Sequence, residues 1–326
     1  MLPFVYAIAL AVSTDSCTVT RELRVPSRAG HVLAVELSSA GPREARPTVI
    51  LISGAGAFSR EYSTDAGNGR SGNRAFAILR DSMVRAGYAV IRFDERGTGA
   101  SSGDYAATAT TATLAEDIED IMAAIAQRPE VDSKRLVLLG HSEGAAIALL
   151  VASRVTAVQA LITLGGPAWE GRRIIEWQRM ARAQLSDWSD AYPTVAARME
   201  YLDREHRTRA ASDHWYQYFL DFDPMAAVGL VTVPMLVLHG DRDTWVSVEQ
   251  ASEIAARARQ SGNSRVSLSV LAGHDHGFGP PGPQWYPGRL SERLVQEVLS
   301  WLREAQPTVR PNACTEVRAP QPNGSW

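Results

Sequence analysis

Apolar positions along this chain fall into two alternating rhythms. Short runs of branched aliphatic residues, PTVILISG (47–54), YAVIRFDERG (88–97), RLVLLG (135–140), AVQALITLGG (157–166), VPMLVLHG (233–240) and RVSLSVLAG (265–273), read as strands. Most are apolar on both faces, as strands of a parallel sheet are. HVLAVELSS (31–39) alternates apolar and polar residues and reads as a half-exposed strand. Between these runs lie AFAILRDSMVRAG (75–87), LAEDIEDIMAAIAQRP (114–129), SEGAAIALLVASR (142–154), SVEQASEIAARARQ (247–260) and RLSERLVQEVLSWLREA (289–305), all with helical spacing. In 114–129, for example, Leu114, Ile118, Ile121 and Ile125 share one face, and Pro129 lies beyond the end. Strands alternating with helices of this length predict an α/β fold, a mostly parallel, doubly wound sheet with helices on both sides.

The rhythm breaks between Pro167 and about Val228. That stretch is helical in composition and carries Trp169, Trp177, Trp188, Trp215, Tyr216, Tyr218 and Phe219 among near-balanced acids and arginines. It is too long for a loop, so a small helical cap subdomain over 167–228 is expected, inserted into a core formed by 17–166 and 229–305. Residues 306–326 are rich in Pro, Asn and Gly and read as an irregular tail.

The apolar stretch LPFVYAIALAV (2–12) is too short to span a bilayer. It has the length of a signal-peptide h-region, and Ala9-Leu10-Ala11 offers a small-x-small cleavage site, but no Lys or Arg precedes it. Residues 1–16 therefore read as a leader or as an N-terminal arm. Export to the periplasm or medium is the expectation, with a cytoplasmic location as the alternative. Cys17 and Cys314 are the only cysteines, and either a disulfide joining the two ends or two free thiols fits them.

With 326 residues, 45% apolar and 21% charged, the composition is that of a globular protein. Lys and Arg number 33 against 36 Asp and Glu, so the net charge of −3 gives no basic surface for nucleic acid.

The chemistry is concentrated in Gly140-His141-Ser142-Glu143-Gly144, which joins a buried strand to a buried helix. This G-x-S-x-G pattern in a strand–turn–helix context is a nucleophile elbow. Two glycines flank the serine because a Cβ at either position would clash across so tight a turn. Ser142 is expected at a strained, positive φ. A serine hydroxyl needs a positioned base, and the base needs an orienting carboxylate. Asp241 and Asp243 follow the strand ending at Gly240, and His274 and His276 follow the strand ending at Gly273. Both pairs lie at carboxyl ends of strands, where open α/β sheets place their sites. The reading adopts Asp243 as acid, with Asp241 as turn former, and His276 as base because it directly precedes Gly-Phe, with His274 as the structural alternative. His239 reads as a packed core histidine. The oxyanion donors are expected to be the backbone N–H of Glu143 and that of Ala55, with Gly56 as an alternative to Ala55. Neither HExxH nor a clustered Cys/His pattern occurs in the sequence, so no metal or cofactor is expected.

Together, ISGAG (52–56), RFDERGTGASSG (92–103), PEVDSKRLVLLGHSEGAAIA (129–148), HWYQYFLDFDP (214–224), VPMLVLHGDRDTWV (233–246) and LAGHDHGF (271–278) resemble the α/β-hydrolase superfamily. The likeness is nearest to bacterial capped serine carboxylesterases and covers roughly residues 31–305. It implies an α/β-hydrolase fold and gives Arg96, Gly97, Gly99 and Ser101 a structural role at the catalytic edge. One departure is Ala57-Phe58-Ser59-Arg60-Glu61, where similar esterases carry a Pro-Gln-Asp-Arg-like stretch.

The expectation is a serine hydrolase that cleaves a small-molecule carboxylic ester through an acyl-enzyme, with Trp169 and Trp177 facing substrate and the other cap aromatics forming its core. A peptidase, amidase or thioesterase on the same triad is the alternative. A non-catalytic binding protein on the same scaffold is the reading from a different class.

Overall fold

The computed structural model describes residues 7–12 (backbone only), 18–41, 44–62, 74–185, 188, 190–279, 290–306 and 309. Cys17, Cys314 and the tail apart from 306 and 309 lie outside the described residues. One nine-stranded sheet runs through the molecule in the order β1-β2-β3-β5-β4-β6-β7-β8-β9. Its strands are β1 (Ala7–Val12), β2 (Val19–Pro26), β3 (Val32–Ser39), β4 (Arg46–Ile52), β5 (Ala89–Phe93), β6 (Val131–His141), β7 (Val158–Leu164), β8 (Met235–Gly240) and β9 (Val266–Leu271). The first three strands and the β3–β5 pair are antiparallel, and every pair from β5 through β9 is parallel.

The continuous apolar runs are explained by two-sided burial. In β4, Ile50 and Ile52 enter one core, while Val49 and Leu51 enter another on the opposite face. The first core packs against α3 (Thr111–Ile125), α4 (Glu143–Ala152) and α9 (Glu249–Gln260). The second packs against α1 (Ala75–Arg85) and α10 (Glu292–Ala305). Register places Leu138 of β6 opposite Ile50 of β4 and Leu161 of β7, so the strands carrying the candidate chemistry are the most enclosed.

Four readings change. β3, read as a half-exposed strand, is buried from Leu33 to Ser39, its polar Glu36 and Ser38 included. β2, VTRELRVP, is a strand that the apolar pattern did not reveal, because it is only partly buried and carries charged residues. Asp94–Gly97 are not strand: β5 stops at Phe93, and Asp94 and Arg96 serve the following turn. β6 begins at Val131, four residues before the apolar run.

Between β7 and β8 lie α5 (Gly171–Ala183), α6 (Val195–Ser212), α7 (His214–Leu220) and α8 (Met225–Val228). A short α2 (Tyr105–Thr108) precedes α3. Ile174, Trp215, Tyr216, Phe219 and Leu220 form a small core of their own within this insertion. Trp215 stacks on Phe219 with ring centroids 4.9 Å apart. Such aromatic packing lets so small a unit hold together.

The RGxGxS segment has the structural role that the resemblance implied. The buried Arg96 guanidinium meets Asp117 at 2.8 Å, and the Ser101 hydroxyl donates to the Asp94 carbonyl at 2.6 Å. A Cβ on Gly99 would sit 2.6 Å from the Asp94 carboxylate.

Candidate active site

Ser142 sits between β6 and α4 at φ 56 and ψ −122. A serine enters the left-handed region only when its surroundings force it. Here both neighbours are crowded: a Cβ on Gly140 would lie 2.0 Å from the Gly144 carbonyl oxygen, and one on Gly144 would lie 2.3 Å from that of Ile52. The obstacles are backbone and cannot swing aside. Gly140→Ala is therefore expected to destabilise the fold by about 4 kcal/mol or more. A thermal midpoint equal to that of the parent would refute this steric account.

Asp243 and His276 meet at the same edge, with His276 Nδ1 2.7 Å from Asp243 Oδ2. The other carboxylate oxygen accepts the N–H groups of Trp245 and Val246, both at 2.8 Å. Burial favours the neutral acid, but the charges and hydrogen bonds of His276 and His239 outweigh it and hold Asp243 well below the usual carboxylate range. Gly165, at φ 57, leaves room for the pair: a Cβ there would sit 3.2 Å from His276 Nδ1 and 3.3 Å from Asp243 Oδ2.

The competing residues have other positions. Asp241 accepts the Gly273 N–H at 2.6 Å and shapes a turn. His274 is buried, with Nδ1 2.9 Å from the Ala272 carbonyl and Nε2 2.8 Å from the Ser291 hydroxyl. His239 is wholly buried, yet it also touches the site: Nε2 lies 2.9 Å from the Val246 carbonyl and 3.1 Å from Asp243 Oδ2. That contact was not visible in the sequence.

The loop after β4 dedicates its amides one by one. The Gly54 N–H donates to the Tyr62 hydroxyl at 3.1 Å, Gly56 to the Tyr105 hydroxyl at 3.2 Å, and Phe58 to Glu95 Oε2 at 2.9 Å. Among the described residues the Ala55 N–H has no partner, which leaves it available as a donor where Gly56 is not. The Glu143 N–H is in the first turn of α4, where helix amides lack internal acceptors and the dipole favours negative charge.

Glu95 holds both ends of this loop, since Ser53 Oγ also lies 2.6 Å from its Oε1. Burial, opposed by these hydrogen bonds, pushes the Glu95 carboxyl up to about 8 from 4.5. A raised carboxyl favours folding below its unfolded pKa, and that advantage is lost as pH rises through the folded value. Stability is thus expected to fall between roughly pH 4.5 and 8 more steeply in the parent than in Glu95→Gln. Parallel slopes in melting temperature against pH would contradict this.

A cavity of about 480 Å³ opens over Ser142 and His276. Ile174, Ile175, Trp215 and Phe219 of the insertion, with Val246 and Phe58, supply its apolar walls. Trp169 and Trp177, expected to face substrate, do not line it. The Trp169 indole N–H donates to Glu253 of α9 at 2.9 Å, the Arg173 guanidinium covers its ring at 3.7 Å, and the Trp177 ring packs against it. Trp169 anchors the insertion to the core with Trp177 packed behind it, and Trp215 takes the expected place at the cavity. Its indole N–H donates to Glu143 at 2.7 Å, as does the Thr111 hydroxyl at 2.6 Å. Burial nevertheless pushes the Glu143 carboxyl up to about 7.

An elbow serine above a mostly parallel sheet, with a paired aspartate and histidine after the last two strands, is the arrangement of the α/β-hydrolase fold. The serine aminopeptidase S33 family model matches residues 67–278, and the chain belongs to that family. Esterase EstD of Thermotoga maritima is 26% identical over 272 residues, covering 78% of this chain. The chain spans 62% of the length of that relative. Esterase LipC of Mycobacterium tuberculosis is 36% identical over 93 residues, 28% of this chain and 23% of its own. Among solved structures, an esterase of Pyrococcus furiosus superposes with a TM-score of 0.59 at 18% identity, covering 87% of this chain and 92% of that one. A thermophilic esterase from Thermogutta terrifontis gives 0.57 at 17% identity, covering 87% and 98%. At such identities the structures speak for the fold alone.

Proposed function

We propose that this chain is a serine hydrolase that cleaves carboxylic esters through an acyl-enzyme. The observation that carries the reading is that His276, held at 2.7 Å by the buried Asp243, lines one cavity with a serine at positive φ. Ser142 attacks the ester carbonyl and His276 takes its proton, while Asp243 keeps the imidazole in the tautomer that can accept it. The N–H groups of Ala55 and Glu143 hold the oxyanion. His276 then protonates the departing alcohol, and water repeats the sequence on the acyl-enzyme. The insertion acts as a cap whose apolar residues enclose the acyl or alcohol group of a small ester. Two relatives named as esterases support the same substrate class.

The family description favours a second reading, an aminopeptidase. Such an enzyme needs a free carboxylate for the substrate's ammonium group. Among the described residues, only Glu143 and Asp213 supply carboxyls to the cavity wall. Both contacts of Glu143, from Thr111 and Trp215, fall on Oε1, and among the described residues its buried Oε2 has no hydrogen-bond partner. Burial pushes this carboxyl up to about 7, which weakens it as a partner for an ammonium group. Asp213 is paired with Arg209 at 2.8 Å and caps α7. Ester hydrolysis is therefore the better-supported activity. A panel of p-nitrophenyl acyl esters beside aminoacyl p-nitroanilides tests it. Turnover of the esters alone is expected, and comparable kcat/KM for the anilides would overturn the choice.

A further inference from the structure

One connected set of hydrogen bonds around the site serves no step of the reaction above. The Gly54 N–H donates to the Tyr62 hydroxyl at 3.1 Å, and that hydroxyl is hydrogen-bonded to His141 Nδ1. His141 Nε2 lies 2.8 Å from the backbone carbonyl oxygen of His276. A carbonyl can only accept, so Nε2 carries the ring proton and Nδ1 accepts from the tyrosine O–H. The tyrosine oxygen in turn accepts from Gly54. Every group donates in one direction, from the oxyanion loop through the elbow to the loop of the base, and such a series polarises its members cooperatively.

Other features show that the series is built into the site. Tyr62 stands at φ 58, a region that a bulky residue enters only when held there. Its ring is wedged between Phe58 and Phe76, with centroids 4.7 Å and 4.8 Å away. A Cβ on Gly54 would lie 2.8 Å from the Tyr62 oxygen and 3.0 Å from the Ser142 Cβ, so glycine is what lets the hydroxyl approach the elbow. The His141 ring lies 4.7 Å from the His276 ring. Burial, reinforced by the nearby His276, pushes the His141 imidazole down to about 3, which keeps it in the neutral form that both bonds require.

We propose that Tyr62 and His141 are positioning residues that tie the His276 backbone to the oxyanion loop and so set the base against the Ala55 donor. The proposal rests on the reading of Ser142, Asp243 and His276 given above. Both residues act through the backbone of Gly54 and His276, so their effect should fall on the chemical step. A displacement of about 1 Å in a catalytic group can lower a rate by roughly 10²-fold.

The test compares Tyr62→Phe, His141→Leu and the double variant with the parent on a p-nitrophenyl ester, with thermal midpoints measured in parallel. Each single change is expected to lower kcat by about 10- to 100-fold with KM within about 3-fold. The double variant is expected to be no worse than the poorer single by more than about 3-fold, because the series fails as a unit. A kcat within about 3-fold of the parent in Tyr62→Phe would overturn the proposal. So would losses that multiply in the double variant, or losses explained by the fraction unfolded. A parent that neither turns over esters nor is labelled at Ser142 by a fluorophosphonate would instead refute the underlying reading. An active, labelled parent with unaffected variants would refute the series alone.

Discussion

Ser142→Ala is expected to lower kcat for a p-nitrophenyl ester by on the order of 10⁶-fold, while the chain folds as before. The magnitude follows from losing the nucleophile of a unit that acts together, which leaves only the oxyanion donors and binding. Folding should survive because the constraint at the elbow is steric and lies in the glycines. Alanine has the same backbone demands as serine, and Gly140 and Gly144 still clear the turn. A variant that kept a tenth of the parent's activity would mean that ester cleavage does not pass through this hydroxyl.

Asp243→Asn is expected to lower kcat by about 10⁴-fold, with the site's geometry nearly unchanged. The Asn carbonyl can still accept the N–H groups of Trp245 and Val246 that now reach Asp243 Oδ1. The amide NH₂ then faces His276 Nδ1, which must turn its lone pair toward it. The ring proton moves to Nε2, and the base can no longer accept the Ser142 proton. A second consequence concerns pH. Asp243 is held below the usual carboxylate range, chiefly by His276 and His239 against the cost of burial. A depressed carboxyl adds stability above its unfolded pKa of about 3.9, and that stability is lost as pH falls toward the folded value. The stability advantage of the parent over Asp243→Asn should therefore narrow in acid and level off above about pH 5. Activity within about 10-fold of the parent, or an advantage that widens in acid, would contradict the assignment.

The parts of this fold that were legible in the sequence share a physical reason. β4, β8, β6 from Leu136 and β7 from Ala160 are buried on both faces and appear as largely aliphatic runs. β2, partly exposed, carries Arg21, Glu22 and Arg24 and shows no such run. The elbow was legible because sterics demand glycine at 140 and 144, whatever the rest of the chain does. Asp243 and His276 could be sought because strand ends restrict where an acid and a base can emerge. The cavity walls obeyed no such local rule. Trp169 and Trp215 are alike in composition and context, and only the packing of α5 and α7 on the core decides that Trp169 meets Glu253 while Trp215 meets Glu143. Glu95, Tyr105 and Tyr62 act on loops distant in sequence, through contacts that no spacing announces. His239 looked like core and is core. Its approach to Asp243 became visible only in three dimensions.

The central claim is that Ser142 is a nucleophile activated by His276 and Asp243. Its most direct test is intact and peptide mass spectrometry of the protein after exposure to a fluorophosphonate. One adduct per chain is expected, on the peptide containing Ser142, with none in Ser142→Ala. No adduct on the folded parent, or an adduct on another residue, would contradict it.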